Sequence, residues 1–388
     1  MTVDVIVVMP LAEQRGGAEL MLKQLVTTPP EAAPTTIHWH VVFLEDGPMV
    51  DECRSEWSDT HVFPAGRLRH VMSYGRTIRQ LVELGKDVQA RGILGWMSKG
   101  HVYGGPAAFT LGCPAFWFQL GLPADVHWMD RLATAIPARR VLTCSNAGAK
   151  AQAALFPHRR TAVVHPGTDV RHFAPGPEHR SAIRRRLGLD ETAPTAVIVG
   201  RLQRWKGMHV FIESIDQVRQ DYPDVQGIVV GGKHDLEPEY PQYLKDLIQR
   251  RNLEESIHMV GFQSNVRDWM HAADVVVHAS DREPFGIVVI EAMASARPVI
   301  ASDTAGPTEV IEHGQTGLLT PYGDAEAMAK AIVRYFGDAE FSDRVAHNAA
   351  IRARSFSVKA FASRINELLI AETTDAVDVP SPRPTLAR

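Results

Sequence analysis

VVVHASDREPFGIVVIEAMASARPVIA, residues 275–301, sets two apolar blocks on either side of one polar turn. Val275, Val276 and Val277 are a short β-branched run, suited to a parallel strand buried on both faces. Ala279 to Glu283 is polar and turns. Pro284 stands where a helix can begin, because the first helical residues lack intrahelical amide partners. Ile287 to Ala296 continues that helix, Arg297-Pro298 ends it, and Val299 to Ala301 opens the next strand. Strand, turn, helix, strand is the repeating unit of a doubly wound α/β sheet.

A helix start just beyond a buried strand gathers unpaired amides and a partial positive charge, which suits an anion such as a phosphate. Gly286 lets a ligand come close to the backbone. Glu283 and Glu291 are eight positions apart, about 12 Å along a helix axis at its usual rise. Carboxylates serving one glycosidic centre stand about 5–9.5 Å apart. The pair therefore suits the two ends of one elongated ligand with phosphates between them, which is the shape of a nucleotide-sugar. The plainer reading is an ordinary strand-helix unit with two surface carboxylates.

Glu283-Pro-Phe-Gly followed by Glu291 resembles the two-glutamate motif of the retaining glycosyltransferases of the fourth sequence family, the group 1 glycosyltransferases, which have the GT-B fold. The resemblance implies that Glu283 meets the donor sugar and Glu291 the ribose, with Phe285, Gly286 and Ile287 beside the donor. It also implies an α/β architecture of two doubly wound, Rossmann-like domains facing a cleft, with a C-terminal helix crossing back to the first domain.

Working outward, Thr195 to Val199 reads as a strand, followed by Gly200-Arg201-Leu202-Gln203-Arg204-Trp205-Lys206-Gly207 and a helix. Two cations at such a turn suit a pyrophosphate leaving group: arginine chelates two oxygens and lysine brings a compact charge. Arg201 and Lys206 match the phosphate-binding pair of the same family. Gly261-Phe262 ends another strand, where the resemblance places the base of the donor. In the first half, Val3 to Met9 is a strand, and Gln14-Arg15-Gly16-Gly17-Ala18-Glu19 leads into a helix. Gly16 and Gly17 resemble the family's Gly-Gly-Ala-Glu loop, which faces the donor phosphates. The segment Ser98 to Gly105 reads as a loop after the strand Ile93 to Met97, which puts Lys99 and His101 at the carboxyl end of a strand, where ligands bind. His101 is accordingly a candidate catalytic residue. Leu120 stands where the resemblance implies a histidine near the donor sugar, with His101 or His127 as substitutes.

Other features read as structural. His38 and His40 share one strand face, but no third metal ligand is apparent, so strand packing is preferred to metal binding. Arg184, Arg185 and Arg186 read as a solvated helix face. The helix Tyr74 to Val88 has one apolar stripe and is read as core-facing, with peripheral membrane contact as the alternative. The 388 residues carry a net charge of −4, which gives no basic field for nucleic acid. Cys53, Cys113 and Cys144 lack a metal or disulfide pattern, no basic leader precedes the first strand, and no apolar run reaches the ~18–20 residues of a span. These point to a cytoplasmic protein.

The expected domains are an acceptor-side domain over 1–172, a Pro/Gly-rich linker over 173–190, a donor domain over 191–355, a crossing helix over 356–372 and a disordered tail over 373–388. The expected function is metal-independent, retaining transfer of a sugar from a nucleotide-sugar, UDP- or GDP-linked, to a glycan, lipid-linked or small-molecule acceptor, with no cofactor. The rivals are a nucleotide-sugar binding protein with lost or altered catalysis and a GT-B sugar-nucleotide epimerase. An epimerase isomerises its donor without acceptor, which separates it from the other two.

Overall fold

The computed structural model of the chain describes residues 2–13, 16–29, 34–56, 59–123, 127–176, 178 and 180–374. The chain forms two units, one from the residues up to His165 together with those from Val358 onward, the other from Pro166 to Ser357.

The first unit holds seven parallel strands: β1 (Thr2–Met9), β2 (Thr36–Phe43), β3 (Thr60–Val62), β4 (Gly92–Trp96), β5 (Ala115–Gln119), β6 (Arg140–Thr143) and β7 (Thr161–Val163), in the order β3-β2-β1-β4-β5-β6-β7. The second holds six: β8 (Thr195–Val199), β9 (Gln226–Val230), β10 (Ile257–Gly261), β11 (Val275–His278), β12 (Val299–Ser302) and β13 (Leu318–Thr320), in the order β10-β9-β8-β11-β12-β13. Both sheets run outward from their first strand in two directions. The chain therefore reverses between β1 and β4 and between β8 and β11, and a crevice opens at the carboxyl ends of those strands. The central strands are apolar because helices cover both faces: Val5 to Met9 and Val275 to Val277 are buried.

Several expectations need correction. The boundary lies at His165/Pro166, not at Phe173, and the stretch read as a linker folds into the second unit. Its anchor is Arg184, on the helix Arg180–Arg186. Far from lying on a solvated face, Arg184 is fully buried. Its guanidinium donates to the carbonyls of Ala272 (2.8 Å), Ala193 (2.9 Å) and Glu191 (3.2 Å) and to Asp274 Oδ2 (2.8 Å). Arg185 and Arg186 do stay at the surface, paired with Glu191 and with Glu178 and Asp268.

The expected loop Ser98 to Gly105 does not exist, because the helix Met97–Leu111 starts directly at the end of β4. Its glycines are packing residues: a Cβ on Gly100 would stand 2.3 Å from the Val8 carbonyl oxygen. The helix after β11 begins at Ile287, not Pro284, so Glu283 lies in the preceding loop and the axial spacing to Glu291 does not apply. Gly286 takes the left-handed backbone (φ 96°) that turns the chain into that helix.

The last helix, Val358–Thr374, belongs to the first unit. It buries Phe361, Ala362, Ile365 and Leu369, stacks Phe361 on Phe118 and fixes its end by Glu372, which accepts from Arg139 and Arg140. The expected disordered tail thus begins inside a helix, and its part from 375 on lies outside the described residues. Among the described residues no helix is long and apolar enough to cross a membrane.

Candidate active site

The second unit gathers its polar chemistry at the carboxyl ends of β8 and β11, the two strands that flank the reversal. The loop after β8 contains a short 3-10 turn, Arg204–Lys206. Gly207 closes that turn with φ 72° and lies so near the neighbouring loop that a Cβ would stand 2.0 Å from the Ala279 carbonyl oxygen. Backbone bonds bind the loops together. Asp281 N donates to Trp205 O (2.8 Å), Gly306 N to Glu283 O (3.0 Å) and Leu202 N to Gly232 O (2.9 Å). Main chain thus fixes the loops of the site to one another.

Glu283 and Lys206 meet here. Lys206 Nζ donates to Glu283 Oε2 at 2.5 Å, with the two side chains only 15% and 13% exposed. The ammonium also lies 4.0 Å from the centre of the Trp205 ring, a cation–π contact. His278, the last residue of β11 and buried, places Nε2 3.2 Å from the same carboxylate oxygen and 3.2 Å from Ser280 Oγ. Burial by itself would raise the Glu283 carboxyl. The Lys206 ammonium and then His278 outweigh it and hold the group well below the usual carboxylate range. Glu283 is therefore a fixed anion. Arg201 differs from Lys206: it is exposed, with Nη1 3.3 Å from His234 Nε2.

Glu291, one helical turn into Ile287–Ala294, is 9% exposed and meets no hydrogen-bond donor among the described residues. Burial lifts its carboxyl to about 8. A buried acid without a partner is destabilising, and such groups concentrate at binding sites. The sign follows from the raised value. Stability is greatest while Glu291 is protonated and declines as pH rises from the ordinary carboxyl range through about 8. Glu291→Gln should remove this decline, raising stability at pH 9 by on the order of 3–5 kcal/mol, while weakening any ligand that depends on an acceptor there. Chemical denaturation from pH 5 to pH 9 checks this; parallel curves for the two proteins would refute it.

The other expected site residues fall in three places. Phe285 is buried, edge-on to Phe356 at 5.6 Å between ring centres, so its ring is a packing group. Gly286 is buried and Ile287 half-buried beside it, while Gly261 ends β10 with φ 73° and Phe262 is 79% exposed. Gly16 and Gly17 belong to the first unit, where they open the helix Gly17–Thr27 beyond β1. His101 is the correction. It is fully buried, stacked on Trp117 at 5.3 Å, with Nε2 3.4 Å from the Ile136 carbonyl oxygen. Desolvation lowers it to about 4. It is a neutral core residue with no surface to offer a substrate. His278 was not foreseen. Its only sequence signal is a polar residue ending the apolar run of β11.

Residues 179–352 match the family model described as Glycosyl transferases group 1. The D-inositol 3-phosphate glycosyltransferase of Corynebacterium urealyticum is 31% identical over 229 residues, which are 58% of this chain and 54% of that protein. The alpha-D-kanosaminyltransferase of Streptomyces kanamyceticus is 33% identical over 184 residues, 47% of this chain and 46% of its own length. This chain spans about half the length of the curated relatives it matches. Among solved structures, Anabaena Alr3699/HepE in complex with UDP and glucose is similar with a TM-score of 0.83 and 26% identity, covering 95% of this chain and all of that one. Residues 179–352 of the second unit thus match the group 1 glycosyl transferase model, and the fold of two doubly wound α/β units is that of the similar Anabaena structure.

Proposed function

We propose that this chain transfers a sugar, a hexose foremost, from a UDP-linked donor to a hydroxyl acceptor with retention at the anomeric carbon and without a metal ion. The observation that carries the reading is the ion pair of Lys206 with Glu283 at the reversal point of the second sheet, beside an exposed Arg201 and a buried Glu291 that meets no hydrogen-bond donor among the described residues. In this reading Arg201 binds the diphosphate as a chelating cation. Lys206 neutralises the negative charge that grows on the leaving phosphate as the sugar bond breaks. Glu283, a permanent anion, accepts from sugar hydroxyls and orients the ring. Glu291 accepts from the ribose hydroxyls, which supply the donors its carboxyl lacks. The backbone of Phe285, Gly286 and Ile287 lies beside the donor, and Gly261-Phe262 beside the base. A nucleotide-sugar substrate suits a cytoplasmic location. The Anabaena relative solved with UDP supports the choice of base.

Leu120 stands in place of the histidine implied by the resemblance, and His101 does not replace it, being buried. That favours, as a second reading, a protein that binds nucleotide-sugar with altered catalysis. One experiment separates the readings: thermal-shift titration with UDP, GDP, ADP and dTDP, followed by release of nucleotide from the matching sugars with and without acceptors. The proposal expects UDP to raise the melting temperature most and UDP-sugar to release UDP. Binding without release supports the second reading, and no shift with any nucleotide refutes both.

A further inference from the structure

The amino-terminal ends of β1 and β2 carry a cluster that nucleotide-sugar chemistry does not use, since doubly wound sheets take their substrates at the carboxyl ends. Parallel pairing sets Asp4 opposite His38 and Ile6 opposite His40. Alternation along the strands then turns Asp4, His38 and His40 to the same face. Asp4 Oδ1 is 3.1 Å from His38 Nδ1 and 2.9 Å from His40 Nε2, and the three atoms lie within 4.8 Å of one another. The third ligand that the spacing of the two histidines lacked is thus supplied by the neighbouring strand.

We propose that Asp4, His38 and His40 form a binding site for a divalent transition-metal ion, with zinc as the best match. Zinc bonds imidazole nitrogen and carboxylate oxygen at about 2.0–2.2 Å, so tetrahedral ligand atoms stand about 3.3 Å apart. The observed 2.9 and 3.1 Å contacts need only a small opening to admit the ion. Two imidazoles and one carboxylate are a transition-metal set, not one for calcium or magnesium. The remaining ring nitrogen of His38 faces Asp59 Oδ2 at 2.6 Å. A carboxylate behind a ligating histidine fixes its tautomer and raises its basicity.

Access is open, since the side chains of His38 and Asp4 are 44% and 32% exposed while His40 is 6% exposed. With three protein ligands the fourth position faces water. The bound ion would fasten β1 to β2 at the amino-terminal edge of their sheet.

The test uses the full chain without an affinity tag, stripped with chelator and titrated with cobalt(II) and then zinc(II). The expected result is one ion per chain, the visible bands of four-coordinate cobalt, and their loss on adding zinc. His38→Ala, at the exposed position, abolishes the bands, Asp59→Asn weakens zinc about 10–100-fold, and His347→Ala, an exposed histidine of the other unit, changes nothing. Absence of cobalt bands at millimolar metal overturns the proposal. So does unchanged stoichiometry in His38→Ala together with His40→Ala.

Discussion

Glu283→Ala lowers the turnover of sugar transfer by about 10²–10³-fold and leaves affinity for UDP unchanged or slightly tighter. The carboxylate accepts Lys206 Nζ at 2.5 Å and His278 at 3.2 Å from one oxygen, Oε2. In the proposed function its second oxygen accepts from a sugar hydroxyl. On that reading, removing the carboxylate removes the group that orients the ring in the transition state. It also releases the ammonium from its partner, so the cation faces the diphosphate with no competing anion. Steady-state kinetics paired with calorimetry of UDP binding reads both effects. A parallel loss of turnover and UDP affinity would assign Glu283 to the nucleotide instead of the sugar.

Lys206→Ala produces a different pattern: transfer and UDP affinity fall together, and the protein becomes less stable by about 3 kcal/mol. The reason is the carboxylate left behind. Glu283 is 13% exposed, and Lys206 heads the influences that offset its burial. Without the ammonium, desolvation prevails and the carboxyl moves up. The pH dependence follows. In the native protein this group is ionised throughout the working range, and its contribution to stability fades only as pH falls below the ordinary carboxyl range. In Lys206→Ala the deficit is greatest at neutral pH and shrinks on acidification, as a proton takes over from the lost cation. Lys206→Ala combined with Glu283→Gln should recover stability without recovering transfer. Melting curves across pH, run beside the kinetics, check this. A deficit that grows on acidification would mean that Glu283 is not the group left uncompensated.

Residues 275–301 were legible because a triple-valine run bounded by turn residues has few alternatives to a buried parallel strand. The placing of Arg201 and Lys206 after a strand was legible because the β-branched run Thr195–Val199 ends at a glycine and a polar turn. Arg184 was not. Three consecutive arginines read as solvated, and only the backbone carbonyls of Ala193, past the next turn, and of Ala272, distant in sequence, make the first of the three a core position. The segment around His101 misled for a related reason. Gly100, Gly104 and Gly105 suggest a loop by composition, yet at helical spacing they remove the side chains that would hold the helix off the sheet. Gly95 on β4 completes the approach, since a Cβ there would stand 2.4 Å from His101 Cα. His38 and His40 read as a pair because strand register, which adds Asp4, cannot be read from one strand. His278 had no partner in view until the loop after β11 folded back on it.

The helix Val358–Thr374 completes the first unit with residues made after the whole of the second. Until Phe361, Ile365 and Leu369 emerge, the nascent first unit lacks the apolar residues they bury against it, while the second unit is already whole. Translation thus finishes the two halves in the reverse of their genetic order. A stop codon or a protease acting before Val358 would spare the later-made half and strand the earlier one as a substrate for chaperones.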